Sequence, residues 1–297
     1  MEIMHPHLAA VLALLDVHDG GSGLFIGSQP KDAARRQRVF GGQVVAQAMM
    51  AAARTVDDRD LHSLHVSFLR PGDPMEPLRY DVTALRDGRT LSTRRVSASQ
   101  LKDGRPGPVI MEALVSFIGG VDGHDYQQPI PAVPDPETLP SLEEQLIGYP
   151  DRDYRELIRL RLVEMRYVDP PPPVAVTTEP PAAARCRLWL RVAGEIPELL
   201  RTDPLLGCCL LAYVSDWTIL DPVQVGIGRT WQQLEVMASL DHTMWFHRPV
   251  DFCDWLLFDQ RAGSAVGGRG LATATIYNRD GTLVATAAQE GFLGRPL

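Results

Sequence analysis

The chain has 297 residues, of which 45% are hydrophobic, and a formal net charge of −8. This composition is typical of a globular protein with enough apolar material for two compact domains. Non-specific nucleic-acid binding requires many neutralised phosphates, so an acidic chain argues against such a partner. None of its apolar stretches has the length of a membrane span. A disordered chain and an integral membrane protein are therefore not expected.

The first apolar run covers residues 8–15 and predicts a short amphipathic helix. It follows the acidic Glu2 rather than a basic leader, and no small-residue cleavage pattern comes after it. The chain has four cysteines, none in a C-x-x-C pair: Cys186, Cys208, Cys209 and Cys253. Such a set is typical of buried thiols in a reducing compartment. We therefore expect a cytoplasmic protein.

An alanine-rich helix is predicted over residues 41–53. It is apolar on nearly every side, so it has to be enclosed by other elements. Four segments with the composition of β-strands follow, separated by turn signals, at residues 61–69, 78–85, 94–100 and 109–118. One buried helix followed by an antiparallel meander is an α+β unit with its sheet wrapped around the helix. We place this first domain at residues 1–125.

Residues 126–182 are predicted to link two domains, because half of the 24 prolines lie between Pro129 and Pro181. A capping box begins at Ser141, and acidic and basic residues alternate around apolar ones over residues 151–165. We expect one or two short helices here that lie across the domain surfaces.

The predicted second domain, residues 183–297, repeats the plan of the first. A strand at residues 188–192 precedes an apolar helix at 205–220, and strands follow at 236–246, 255–260, 271–277 and 283–289. Short sequences also recur: Phe68-Leu69-Arg70-Pro71 matches Phe246-His247-Arg248-Pro249. Two copies are too few for a solenoid, so we expect a pseudo-twofold pair of domains.

Motifs of several common enzyme classes are missing from the sequence. It contains no G-x-S-x-G elbow, no Walker loop, no G-x-G-x-x-G that opens a helix after a strand, and no H-E-x-x-H. His242 and His247 are separated by an odd number of residues on a predicted strand, which sends them to opposite faces. The sequence therefore indicates no metal site and no cofactor.

The most unusual residue is Asp216, a carboxylate in a predicted helix with almost no other polar side chains. Burial raises the pKa of a carboxyl group towards the range useful to a general base. The same sequence pattern is expected of an aspartate that caps a neighbouring loop, is exposed at the helix end or serves a structural network. A structural role therefore stays open beside the role of a general base.

Two polar residues on predicted strands are further candidates. Gln289 ends a small-residue strand, where an amide suits holding a water or a carbonyl, although a satisfied core glutamine is the alternative. Strand alternation places Ser239 and His242 on opposite faces, so His242 is not expected to serve Ser239 as a base. We therefore interpret Ser239 as a hydrogen-bonding hydroxyl, and Asp241 as a residue that closes a turn or pairs with an arginine.

Gly41 and Gly42 open the first buried helix. Free backbone N–H groups at such a position stabilise a developing oxyanion, and steric need at a crowded helix start is the competing explanation. Several arginines are candidates for contacts with the phosphates of a nucleotide-like ligand, although solvated surface charge is the default for most of them: Arg70, Arg86, Arg89, Arg94, Arg95, Arg248 and Arg269.

These motifs, taken together, resemble those of the acyl-CoA thioesterase II family of double hotdog proteins. The matching stretches run in the family's order over nearly the whole chain and include residues 39–45, 64–73, 80–82, 85–88, 94–96, 241–249 and 289–291. The resemblance implies an α+β double hotdog, with two tandem antiparallel sheets that each wrap around a long apolar helix. It also implies hydrolysis of acyl-CoA to a free acid and CoA without an acyl-enzyme intermediate.

The family uses an Asp, a Thr and a Gln to position and activate a water. By resemblance, these roles fall on Asp216, Ser239 and Gln289. The serine keeps the hydroxyl of the family threonine but lacks the methyl group that stiffens χ1. Three further residues lie in matching stretches and are predicted to bind substrate: Gly41, Gly42 and His65.

Two other functions remain open at this stage. A hotdog hydratase would present an Asp and a His together beside the substrate alkene, and no convincing pair of this kind is evident. A non-catalytic acyl-CoA sensor would keep the pocket without turnover. Sheet edges and the habit of hotdog proteins favour a homo-oligomer of double hotdog chains.

Overall fold

The structure, a computed structural model, describes residues 6–31, 37–149, 162–178, 183–234 and 236–294. A short helix, α1 (Pro6–Leu15), precedes a hairpin of two strands, β1 (His18–Gly21) and β2 (Leu24–Gly27). The helix confirms the prediction for residues 8–15. The hairpin was not predicted, because its strands have only four residues each and β1 is polar and glycine-rich.

The first half then contains one long helix and five strands. They are α2 (Gly41–Ala53), β3 (Asp60–Phe68), β4 (Leu78–Asp87), β5 (Leu91–Lys102), β6 (Arg105–Pro106) and β7 (Met111–Ile118). The predicted helix is confirmed, and the four predicted strands are confirmed with shifted ends. The helix α2 lies against β3, β4, β5 and β7, and this contact accounts for its nearly complete burial.

The proline-rich segment contains a 3-10 turn (Pro136–Thr138), α3 (Leu142–Gln145), β8 (Val163–Tyr167) and α4 (Pro172–Ala175). The predicted capping box is present, since the backbone N of Ser141 donates to Glu144 at 2.7 Å and Ser141 Oγ accepts from the backbone N of Glu144 at 3.3 Å. Most of the helix predicted at 151–165 lies outside the described residues. Its last residues form the strand β8, because Val163, Met165 and Tyr167 alternate into the core.

The second half has nine α-helices and β-strands within the described ranges, besides a 3-10 turn (Trp231–Gln233). They are β9 (Arg185–Val192), α5 (Glu198–Thr202), α6 (Pro204–Ser215), α7 (Asp221–Ile227), β10 (Ala238–Ser239), β11 (Asp241–Phe246), β12 (Leu256–Val266), β13 (Arg269–Asn278) and β14 (Leu283–Phe292). The helix predicted over 205–220 ends earlier, at Ser215, and Asp216 is its C-cap. A separate helix begins at Asp221, and Pro222 explains the break because proline favours the first turn of a new helix.

One sheet continues from the first half into the second. Its strands follow the order β1-β2-β4-β5-β7-β3-β11-β14-β13-β12-β9-β8, with β10 beside β14 and β6 beside β5. The antiparallel pair β3 and β11 lies at the centre, where His65 faces Thr243. Each half would otherwise expose this strand edge, and pairing the two edges satisfies their backbone groups. The two predicted sheets are therefore joined edge to edge around a pseudo-twofold axis.

The helices α2 and α6 pack against each other on one face of this sheet. A single apolar core spans both halves and includes the fully buried Leu64 on β3 and Met244 on β11. A smaller apolar cluster on the other face includes Trp189 and Tyr277, and Ile130 and Val133 of the proline-rich segment pack against it. This segment thus covers part of the outer face of the second half. The boundaries at residues 125 and 182 stay a prediction.

Within the described ranges, no helix combines the length and the apolar character required to cross a membrane.

The central strand pair gives a test of the joined core. Leu64→Ala removes a fully buried side chain, whereas Leu114→Ala removes one on β7 that is 44% exposed. We expect Leu64→Ala to lower the free energy of unfolding by about 2–5 kcal/mol. The matched Leu114→Ala should change it by about 0.5 kcal/mol or less. Urea unfolding of both variants measures the difference, and equal losses would contradict the assignment of the two faces.

Candidate active site

A β-bulge at the start of β11 determines which side chains point into the interior. Ser239 pairs with Gly291, whereas Thr243 pairs with Ala288. The strand that carries Ser239 therefore has one residue more than β14 over this stretch, and an extra residue reverses the alternation of faces. As a result, Ser239 and His242 both point inwards. The prediction that they lie on opposite faces is wrong.

Asp241 stabilises this bulge. Its Oδ1 accepts a hydrogen bond of 2.7 Å from the backbone N of Glu290, at the irregular position of the ladder. Its carboxylate thus binds the backbone, as a residue that closes a turn does, and no arginine of the described residues pairs with it. The Asp241 carboxylate is engaged in holding the backbone beside the site.

Asp216, at the C-cap of α6, points its carboxylate towards the start of α2. Its Oδ2 accepts a hydrogen bond of 2.8 Å from the backbone N of Gly42. Its Oδ1 accepts one of 3.0 Å from Gln289 Nε2 and lies 3.5 Å from Ser239 Oγ. One oxygen therefore binds the first half of the chain, and the other binds the second half.

Burial raises the pKa of the Asp216 carboxyl above its ordinary value, because desolvation disfavours the charged form. Four smaller effects act in the opposite direction: the charge of His242 and the hydrogen bonds from Gln289, Gly42 and Ser239. The carboxylate is desolvated yet supported by donors. This is the environment in which an aspartate serves as a general base.

Gln289, which is 1% exposed, lies at the centre of the cluster. Its Nε2 donates to Ser239 Oγ at 2.8 Å as well as to Asp216, and its Oε1 contacts Nδ1 of His242. The other ring nitrogen of His242, Nε2, lies 3.2 Å from Ser215 Oγ. The structure thus brings together the three residues predicted to be catalytic. It adds His242 and Ser215, which the sequence analysis did not assign to a site.

Gly41 and Gly42 allow α2 to approach this cluster closely. A Cβ on Gly41 would lie 2.9 Å from Asp216 Oδ2, and a Cβ on Gly42 would lie 2.6 Å from the carbonyl oxygen of Tyr213. Steric need is therefore one reason for both glycines. The amide of Gly42 already donates to Asp216, so it is not free to bind an oxyanion. The amide of Gly41 has no hydrogen-bond acceptor among the described residues.

His65 lies outside the cluster. It is exposed on β3, on the face opposite to the buried Leu64 and Val66, and its ring stands 5.5 Å from that of Trp245. The alternation of β3 thus directs His65 away from Asp216. The role of His65 in substrate binding stays a prediction.

Three aromatic rings lie beside Asp216. Phe40, which precedes α2, is 5.1 Å from Tyr213 on α6, and Tyr213 is 5.7 Å from Trp217. They form an aromatic cluster where the start of α2 meets the end of α6. Nothing in the sequence distinguishes these three aromatic residues from ordinary core residues.

One of the candidate arginines is neither on the surface nor near the cluster. Arg94 is 4% exposed, donates from Nε to Thr55 Oγ1 at 2.8 Å and pairs with Asp87 at 2.9 Å. Its guanidinium connects the end of α2 to the hairpin between β4 and β5. It has a structural role there, so Arg94 is not a candidate for a phosphate contact.

The joined sheet with two helices packed on one face defines a double hotdog protein. A hot dog fold protein of unknown function from Alicyclobacillus acidocaldarius has the same fold, with a TM-score of 0.73 at 21% identity over 99% of this chain and 100% of that one. The predicted α+β double hotdog is therefore confirmed.

Family models described as the N-terminal and C-terminal domains of acyl-CoA thioesterase match residues 29–118 and 131–293. The chain is 37% identical to acyl-CoA thioesterase 2 of Haemophilus influenzae over 279 residues, which is 91% of this chain and 92% of that protein. An acyl-CoA thioesterase II from Mycobacterium marinum superposes with a TM-score of 0.76 at 34% identity, over 97% of this chain and 99% of that one. The chain belongs to the acyl-CoA thioesterase II family.

The close approach at α2 predicts opposite effects for two helical glycines. In Gly42→Ala the new Cβ would meet the backbone oxygen of Tyr213, and we expect a loss of about 1–3 kcal/mol in the free energy of unfolding. In Gly207→Ala, within α6, the Cβ has no neighbour within 4 Å. That variant should be neutral or more stable by about 0.5–1 kcal/mol. Chemical unfolding of both variants tests this, and a stable Gly42→Ala protein would contradict it.

Proposed function

We propose that this protein hydrolyses acyl-CoA thioesters to a free acid and CoA, and that Asp216 activates the attacking water. The observation that carries the proposal is the convergence of Asp216, Ser239 and Gln289 on one hydrogen-bonded cluster. Relatives that cover nearly the whole chain are named acyl-CoA thioesterases, which supports the same substrate class.

In this mechanism a water binds next to the Asp216 carboxylate, held by Ser239 Oγ and by the Gln289 amide, and it takes over one of the hydrogen bonds that Gln289 Nε2 donates within the cluster. Asp216 accepts a proton from the water while the water oxygen attacks the thioester carbonyl carbon. The resulting oxyanion lies near the start of α2, where the amide of Gly41, which has no acceptor within the described ranges, stabilises it. The bond from carbon to sulfur then breaks, and CoA leaves as its thiolate, which takes up the proton that Asp216 accepted and so restores the carboxylate.

The amide of Gly42 has a different task from that of Gly41. It donates to Asp216 Oδ2 and so holds the carboxylate in place while Oδ1 faces Gln289 and Ser239. The positive end of the α2 dipole also favours a negative charge at this position. The start of α2 thus orients the base as well as the substrate.

Hydration of an enoyl-CoA is a weaker alternative. That chemistry needs an imidazole that faces the substrate. His242 is 1% exposed, and both of its ring nitrogens are engaged, one by Gln289 and the other by Ser215. The arrangement around His242 therefore favours hydrolysis over hydration.

We further propose that the protein acts in fatty acid metabolism in the cytoplasm, as a homo-oligomer of double hotdog chains. All four of its cysteines are free. Burial raises the pKa of the Cys208 thiol to about 12, which is typical of an unreactive buried thiol. These features support a reducing compartment, and the oligomer stays a prediction.

Substitution of the proposed base gives the main test. Asp216→Asn should keep the fold and lower kcat by about 10²- to 10⁴-fold, because the amide cannot accept the proton. The matched control is Asp203→Asn at the other end of α6, where Asp203 is the N-cap and asparagine caps equally well. Release of free CoA thiol from a panel of short to long acyl-CoAs measures both variants. Unchanged hydrolysis by Asp216→Asn would remove Asp216 from the mechanism.

The serine distinguishes water attack from a covalent route. Ser239→Ala removes one group that holds the water, so kcat should fall by only about tenfold, the equivalent of one hydrogen bond. A loss as severe as that of Asp216→Asn, together with a burst of thiol release in the native enzyme, would indicate an acyl-serine intermediate instead.

The raised pKa of Asp216 predicts an acidic limb in the pH profile. The carboxylate is the active form, so kcat/KM should fall as the pH drops through a value above the ordinary 3.8 of aspartate. The effect on folding has the opposite sign. Burial favours the protonated form, so its stabilising contribution is lost as the pH rises through the folded-state pKa. A kcat/KM profile that stays flat down to pH 3.8 would contradict this assignment.

A further inference from the structure

His242 is a buried polar residue of the cluster that the proposed water activation does not use. It lies on β11 between Gln289 of β14 and Ser215 of α6. Ser215 is followed in the chain by Asp216, which accepts from Gln289. The four residues therefore form a closed ring of contacts, in which His242 lies on the side away from Ser239.

The neighbours of Gln289 allow one orientation of its amide. A carboxylate only accepts hydrogen bonds, so the Gln289 atom 3.0 Å from Asp216 Oδ1 has to be Nε2. The other end of the amide, Oε1, then faces Nδ1 of His242. An amide oxygen also only accepts, which requires a proton on Nδ1. With a bare Nδ1, Gln289 Oε1 would have no donor on this side, and an amide turned over to donate to Nδ1 would place its oxygen against the Asp216 carboxylate.

Ser215 is compatible with a proton on Nδ1 in either charge state of the ring. Its Oγ lies 3.2 Å from His242 Nε2 and 3.0 Å from the carbonyl oxygen of Ala212. When the ring is neutral, the hydroxyl donates to Nε2 and the proton stays on Nδ1. When the ring is charged, the hydroxyl donates to Ala212 and accepts from Nε2. In both arrangements Nδ1 donates to Gln289.

We propose that His242 is a positioning residue, whose Nδ1–H keeps the Gln289 amide turned with Nε2 towards Asp216 and Ser239. This inference rests on the proposed function for its effect on turnover, although the proton position itself does not. His242 does not contact the substrate. It acts through Gln289, so its contribution should depend entirely on the presence of that side chain.

A matched pair of amide substitutions separates the two ring nitrogens. The side-chain amide of His242→Asn lies near the position of Nδ1, whereas that of His242→Gln lies near the position of Nε2. We expect His242→Asn to keep kcat within about threefold of the native value and His242→Gln to lower it by about 10- to 100-fold, with KM changed less. Thermal unfolding of both variants checks that the fold is retained.

The same pair is then compared in a Gln289→Ala background. If His242 acts through Gln289, the two substitutions should have equal kcat values there, within about twofold, because residues that act as a unit are not additive. A difference between Asn and Gln that persists without Gln289 would overturn the proposal. Equal activity of the two variants in the native background would overturn it as well.

The proton position is measured in the native protein without any substitution. Nitrogen-15 NMR of histidine-labelled protein, with His242 assigned through its coupling to the backbone, should show Nδ1 protonated. A neutral ring with its proton on Nε2 would overturn the proposal. Since this measurement does not depend on turnover, it distinguishes failure of the His242 inference from failure of the proposed hydrolysis.

Discussion

The arrangement of the candidate active site depends on one desolvated carboxylate held between the two halves of the chain. Asp216 receives the Gly42 amide from the first half on one oxygen and the Gln289 amide from the second half on the other. Burial of a charge is unfavourable, and these donors offset part of its cost. The contact exists only because β3 and β11 join the two sheets, which brings the start of α2 next to the end of α6.

The repeat is asymmetric at this point, although its backbone is nearly symmetric. The residue that follows α2 is Arg54, whereas the residue that follows α6 is Asp216. Arg54 is a cation and pairs with Asp16. His65 pairs with Thr243 at the centre, so Leu64, one residue before His65, is the counterpart of His242, one residue before Thr243. Its neighbour on β7, Val115, is likewise fully buried and apolar. One half therefore supplies apolar core where the other supplies the polar cluster, so the described part of the chain holds a single site of this kind.

Much of the fold was predictable because its elements have long, regular patterns. The helix α2 matched its prediction, since thirteen residues without a charge allow few other structures. The strand β8 was predicted as part of a helix, because Glu164 and Arg166 alternate with apolar residues over only five positions and resemble a charged helix face. From the residues alone, Asp216 and Gln289 each kept a structural alternative. The family resemblance selected them, and the geometry that joins them through hydrogen bonds was visible only in three dimensions.

The relation between Ser239 and His242 shows why the rest was not predictable. Alternation on a strand is a reliable rule until a single residue is inserted, and here the insertion is held by the bond from Glu290 N to the Asp241 carboxylate. No composition signal distinguishes that carboxylate from one on a turn. Without the bulge, Ser239 would face outwards with Asp241 and Trp245, and its contacts with Asp216 and Gln289 would be lost. The bulge interrupts the alternation of the strand. It therefore places Ser239 on the same side of the sheet as His242 and Gln289, next to Asp216.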